Sequence, residues 1–225
     1  WPDQPFAYSS QKMKKEKVPS LTAAELVAKL QANPGFLKKQ QEKEQERVER
    51  SARLRVEEEP LLVDLQKVGW SVESVWDLVN TSSPYPEAIP VLLRHLLLSY
   101  LDRTREGIAR SLAVPEPEVQ KAWPLLVEEY RKAPVGWGIK VPGDTKEYRL
   151  GAKDGLACAL SVAVTDETLP ELIALAKDRT QGESRVLLLS ALKKRRNKNP
   201  LAKQAIEELA SDPDLEKEIA SWRKR

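Results

Sequence analysis

Arg105-Glu106-Gly107-Ile108-Ala109-Arg110-Ser111-Leu112 and Lys153-Asp154-Gly155-Leu156-Ala157-Cys158-Ala159-Leu160 are two copies of one segment, matching in residue class at seven positions of eight. A third segment, Arg185-Val186-Leu187-Leu188-Leu189-Ser190-Ala191-Leu192, begins and ends on the same residue types. Pro90-Val91-Leu92 starts 15 residues before Arg105, and Pro170-Glu171-Leu172 starts 15 residues before Arg185. Pro124-Leu125-Leu126 stands in the corresponding place before the middle copy. The unit is therefore a first helix, a turn and a second helix beginning near a basic residue, with first helices about 34 and then 46 residues apart. A two-helix unit cannot bury both of its apolar faces alone, so neighbouring units must stack into one continuous core. Gly107 with Ala109, and Gly155 with Ala157, suit second helices that approach one another closely. Pro170 is expected in a first turn after Thr168, whereas Pro90 and Pro124 are expected to bend their helices, the middle one read as continuous from Val119 to Tyr130.

Outward from the repeats, the last unit reads as a cap. One helix carries Leu201, Ala205 and Leu209, and another begins with Asp212 as N-cap and Pro213 at its first position. Toward the N-terminus, Ser71 is expected to cap a helix through Val79, and Leu61 to Val68 form a helix stopped by Gly69. Pro60 is expected to close a Lys/Glu/Arg/Gln-rich segment over 36–59, a strong helix former with almost no stripe to bury, and so a solvated extension. No a/d repeat survives there to make a coiled coil. Before it, Ser20 or Thr22 caps a helix bearing Leu26, Val27 and Leu30, Glu25 completes a capping box with Thr22, and Asn33-Pro34-Gly35 stops the helix. Residues 1–20, polar and proline-punctuated, read as a disordered arm. The expected organisation is a flexible arm and charged extension over 1–59 and a helical repeat domain over 60–225.

The repeat pattern resembles HEAT and HEAT-like repeats, the two-helix units of an α-solenoid, over about residues 85–220. It is carried by Pro-x-Leu in the first helix and by Arg105, Lys153 and Arg185 at the start of the second. The resemblance implies an all-α, short right-handed solenoid with an N-terminal helical extension, acting as a scaffold or binding surface. In that family the basic residue commonly bonds to an aspartate in the inter-helix turn. Asp102 fits that role for Arg105, but Gly182 stands in the place before Arg185. Some HEAT-like solenoids are alkylpurine DNA glycosylases with tryptophans and an acid in a basic groove. Trp123, Trp137 and Trp222 invite the comparison, yet no local motif allows a residue to be carried over.

One insertion, at 134–150, lengthens the middle unit by about 12–14 residues. Insertions in such arrays emerge on one face and form binding surface. Ile139-Lys140-Val141 and Tyr148-Arg149-Leu150 read as a small hairpin turning at Pro142-Gly143-Asp144. Trp137, Lys146, Tyr148 and Arg149 are the candidate partner contacts, with Trp137 either an exposed anchor or a plug folded back on the helices. Lys193, Lys194, Arg195, Arg196 and Lys198 form the one dense basic cluster. It is explained by a helix C-terminus, and is otherwise a candidate contact for nucleic acid or another anion.

Composition closes several classes. One cysteine, Cys158, excludes an internal disulfide, and a single histidine, His95, leaves no His/Cys set for zinc. His95 lies in an apolar helix and Cys158 on a small-residue face, so both read as structural. Glu128-Glu129 and Glu207-Glu208 are consecutive on helices and cannot face each other as dyads. No phosphate-binding glycine loop or EF-hand spacing is present, and no catalytic residue, cofactor or metal is expected. Net charges of +2, −2 and +3 over 1–60, 61–133 and 134–225 describe no basic domain. The absence of an apolar run of about 18 residues favours a cytoplasmic chain with no membrane partner. The expected function is non-catalytic binding of another protein, with nucleic-acid binding, including by a DNA glycosylase-like enzyme, as the alternative.

Overall fold

The computed structural model describes residues 22–222, so the expected arm over 1–20, Ser20 as a cap and the final Arg223-Lys224-Arg225 lie outside the described residues. The described residues are predominantly helical, with one two-stranded sheet among them. Two compact units divide between Arg47 and Val48.

In the first unit, α1 (Ala23–Gln31) starts on the capping box: Thr22 accepts from the Glu25 amide, and the Glu25 carboxylate takes the Thr22 amide. Leu26, Val27 and Leu30 are all exposed. The Asn33 side chain then accepts from the amides of Gly35 and Phe36 and so opens α2 (Pro34–Lys67). Pro34 thus serves as a start as well as a stop.

Helix α2 does not end at Pro60, contrary to the boundary read from the sequence. An interior proline costs about 3 kcal/mol. Glu58, Leu61 and Leu65 lie on one flank and are buried, both leucines completely, and two buried leucines return about 3–6 kcal/mol. The helix stops, as read, at Gly69 (φ 93°), where the amides of Gly69 and Trp70 bond back to the carbonyls of Gln66 and Leu65.

The helix expected from Ser71 is only α3 (Trp76–Asn80). Side chains satisfy the preceding amides instead: Asp77 accepts from Glu73 and Ser74, and buried Glu58 accepts from Val75 at 3.2 Å.

The repeats follow as helix pairs. They are α4 (Ile89–Leu96) with α5 (Asp102–Ser111), α7 (Trp123–Lys132) with α8 (Ala152–Ala163), and α9 (Leu169–Lys177) with α10 (Arg185–Arg195). All three quoted segments are second helices, and α5 packs on α8 as α8 packs on α10. Pro90, Pro124 and Pro170 each sit in a first turn, where the missing amide proton costs nothing. The expected helix from Val119 to Tyr130 is consequently two: α6 (Pro117–Lys121) ends at Ala122, because Pro124 cannot donate back to Gln120.

Helix α11 (Pro200–Leu209), capped by Asn199, packs on α9 and α10. The last helix, α12, spans Glu216–Ser221 rather than beginning at Pro213. The carboxylate of Asp212 is drawn to Arg185 and its side chain caps only Asp214.

Close approach of the second helices is visible at Gly155, where an added Cβ would lie 3.0 Å from the Ala109 Cβ and the Glu106 carbonyl oxygen. Gly107 faces elsewhere: its Cβ would lie 2.4 Å from Val75 Cγ1, against the segment leading into α3. Gly107→Ala should therefore cost about 1–3 kcal/mol in urea unfolding. A loss below about 0.5 kcal/mol would mean that α3 yields freely.

Candidate binding surface on the inserted hairpin

The insertion forms an antiparallel pair, β1 (Trp137–Gly138) and β2 (Tyr148–Arg149), with Trp137 opposite Arg149 and Gly138 opposite Tyr148. The turn lies where it was read, at Gly143 (φ 75°), but Ile139 to Val141 are not strand. Lys140 is diverted into the body: its ammonium reaches Glu106 at 2.9 Å and Asp102 at 3.3 Å, and its carbonyl accepts from the Arg103 amide.

Three braces hold the hairpin. At the tip, Asp144, its side chain 2% exposed, receives both Arg50 nitrogens at 2.9 and 2.8 Å, while Arg53 Nε donates to the Pro142 carbonyl. The Arg50 guanidinium holds the Asp144 carboxyl below its ordinary value. Arg50 also lies 4.4 Å from the centre of the Tyr148 ring. At the exit, Asp102 accepts from the amides of Gly151 and Ala152 and so caps α8 from another helix. Glu106 gathers Lys140, Arg110 and Arg103. Burial works to raise its carboxyl, but the bonds from Lys140 and Arg110 outweigh it and leave the group lowered.

These contacts place each candidate residue. Trp137 is 68% exposed, so the plug reading is overturned. Val135 and Ile139, two residues to either side, are 58% and 41% exposed and extend the apolar surface. Arg149, also exposed, pairs with Glu183 at 2.9 Å and Asp154 at 3.4 Å. Lys146 is exposed with no ion pair among the described residues. Tyr148 is half-buried under Arg50 and braces the hairpin. Beside the strands a shallow cleft is lined by Val135, Trp137, Arg149, Leu150, Asp154 and Glu183. The alternation Val135-x-Trp137-x-Ile139 was the available signal for the two missed apolar residues. Arg50 and Arg53, one helical turn apart, gave no local sign of their partner.

The weak packing expected over 36–59 fails for its second half. Besides the arginines, Glu57 accepts from the Leu101 amide at 2.7 Å and the Thr104 hydroxyl at 2.6 Å, and Glu58 is fully buried. Burial pushes the Glu58 carboxyl up.

Other singled-out groups have structural partners. His95 is 2% exposed, with Nδ1 2.8 Å from the Tyr100 hydroxyl and Nε2 3.0 Å from Asp64. Burial raises the Cys158 thiol, which keeps it a poor nucleophile. Glu128 and Glu129 both reach Lys132, Glu129 at 3.6 Å while it also binds Arg105 at 2.8 Å, and Glu208 pairs with Lys177. Arg105 thus bonds Glu129 rather than Asp102, which is occupied capping α8. Lys153 donates to the carbonyls of Tyr130 and Ala133. The Tyr130 hydroxyl, bonded to Ser184, is pushed up to about 12 by burial.

Trp123 and Trp222 are buried, with indole N–H groups donated to Glu171 and Glu218, so neither ring is free to stack on a base. In the basic cluster, Lys193 lies over the Trp222 ring and Arg195 bonds the Val164 carbonyl and reaches Asp166 at 3.7 Å. Lys194, Arg196 and Lys198 are exposed and unpaired among the described residues. No three His, Cys, Asp or Glu side chains are placed to hold a metal, and no helix is long and apolar enough to cross a membrane, among the described residues. No protein-family model, curated protein or solved structure matches this chain.

Proposed function

We propose that the chain is a non-catalytic protein-binding module, a short α-solenoid of HEAT-like helix pairs that presents its inserted hairpin to a partner protein. The succession of second helices, α5 on α8 and α8 on α10, supports the solenoid reading. The observation that carries the binding reading is the exposed run Val135, Trp137 and Ile139 on a hairpin held by partly buried ion pairs of Asp144 with Arg50 and of Lys140 with Glu106. An apolar anchor of this size in water is unfavourable unless covered, and a rigid backbone lowers the entropy that covering it would cost. Lys146, Arg149 and Glu183 supply a polar rim.

Capture from a native lysate on immobilised wild-type protein and on the Trp137→Ala variant provides the test. A partner retained by the wild type and lost by W137A is expected, with the variant's urea midpoint unchanged because the side chain is mostly in water. Equal capture by both would remove the hairpin from the binding surface.

A further inference from the structure

Within the second unit, α2 turns an apolar face to water, away from the flank that buries Leu61 and Leu65. Val48, Ala52, Arg55, Val56, Glu59 and Val63 fall within about 100° of arc on a helix of 3.6 residues per turn. All six are exposed, Val48, Val56 and Val63 by 54%, 71% and 44%. Beside them Leu62 and Val72 complete a shallow groove with Val56 and Val63. From Val48 to Lys67 the helix runs about 30 Å at 1.5 Å per residue.

Two charges on this face are unmatched. Elsewhere on the same stretch Arg50 and Arg53 bind Asp144, Lys67 binds Asp64, and Glu57 accepts from Leu101 and Thr104. Arg55 and Glu59 have no ion pair among the described residues, although they stand one helical turn apart. Arginine before glutamate is the weaker sense for a pair within one helix. Both charges stay available to another molecule, and their order selects it. A partner of a single sign would meet either Arg55 or Glu59 as a like charge, which disfavours nucleic acid, an anionic lipid surface and a basic peptide alike. The fitting partner carries an apolar strip with the two charges in reversed order, and this face read in the opposite direction is such a strip.

We infer that two copies of this chain pair antiparallel along this face of α2. With the twofold axis at the level of residues 57 and 58, Arg55 of each copy meets Glu59 of the other, and Ala52 of each meets Val63 of the other. A parallel pair would set Arg55 against Arg55 and Glu59 against Glu59. Arg50 and Arg53, which hold the hairpin tip, lie on another flank of the helix, so the dimer leaves both hairpins open.

Sedimentation equilibrium on the full chain tests this at about 50 mM salt, where surface ion pairs are screened little. The wild type should pass from monomer to dimer between about 1 and 100 μM. Arg55→Glu and Glu59→Arg, both at exposed positions, should each raise the dissociation constant about tenfold or more, since each substitution turns two attractions into repulsions. An equimolar mixture of the two variants should recover dimer with a dissociation constant within about threefold of the wild type, because every charge at the contact then faces its opposite. W137A should dimerise as the wild type does. A wild type that stays monomeric throughout, single variants indistinguishable from it, a mixture that stays monomeric, or loss of the dimer in W137A would each overturn the inference.

Discussion

Replacing Arg185 by alanine is expected to cost about 3–5 kcal/mol of unfolding free energy, the usual consequence of breaking a buried ion pair from one side. Arg185 is fully buried at the start of α10 and binds in four directions. Its guanidinium meets Asp212 at 2.9 Å and Asp214 at 2.7 Å, and donates to the carbonyls of Ala176 and Gly182. It thereby joins the end of α9, the following turn and the segment after α11. Alanine would leave Asp212, 6% exposed, with Arg179 at 3.3 Å as its remaining ion-pair partner, and would open a space the size of a guanidinium.

The pair also sets a pH dependence. Arg185 holds the Asp212 carboxyl down at about 2, below its value in the unfolded chain. A carboxyl lowered on folding contributes stability that is present above its unfolded pKa and lost as pH falls through the folded one. Between about pH 5 and 2 the wild type should therefore lose more stability than Arg185→Ala, whose Asp212 has already lost that partner. Urea unfolding across this range measures both effects. A loss under about 1 kcal/mol at neutral pH would show that α11 and α12 are not locked to α10 through this residue.

The second large effect separates two truncations. Removing residues 1–47 should leave the second unit folded, with its stability changed by less than about 1 kcal/mol, since its braces begin at Arg50. Removing residues 1–59 takes away Arg50, Arg53, Glu57 and Glu58 together. The amides of Leu101 and Val75 and the Thr104 hydroxyl then lose their acceptors, each worth about 1–3 kcal/mol where it stays dry. Asp144 loses both guanidinium partners. A combined loss of at least about 4 kcal/mol is expected, read from urea midpoints of the two fragments. Equal stabilities would return residues 48–59 to the role of a solvated extension.

The second-helix segments were legible because their apolar and small residues recur at fixed offsets, and the Gly69 stop because a left-handed residue there has a local signature. The insertion was legible as an interruption of spacing. What escaped was non-local. The run Glu57-Glu58-Glu59 looks solvated in any window, and nothing near it announces that Glu58 will be buried against an amide 17 residues away. Pro60 has the composition of a boundary, and only the burial of Leu61 and Leu65 on the same flank carries the helix through it. Asp102 and Asp212 show the same limit. The repeat resemblance matches Asp102 to Arg105 and sequence position matches Asp212 to the helix after it, yet Asp102 caps α8 and Asp212 binds Arg185 of α10. For the hairpin, the residues that could bind were visible, while the arginines that brace its tip lie 94 and 89 residues before their partners in the chain.

The central claim, that this chain binds a partner protein through the exposed apolar run of its hairpin, is tested most directly by one dissociation constant measured twice. With the partner isolated on the wild-type chain, calorimetric titration of wild type and Trp137→Ala should differ by about 30-fold or more, corresponding to about 2 kcal/mol, while their urea midpoints coincide. An unchanged dissociation constant would contradict the claim.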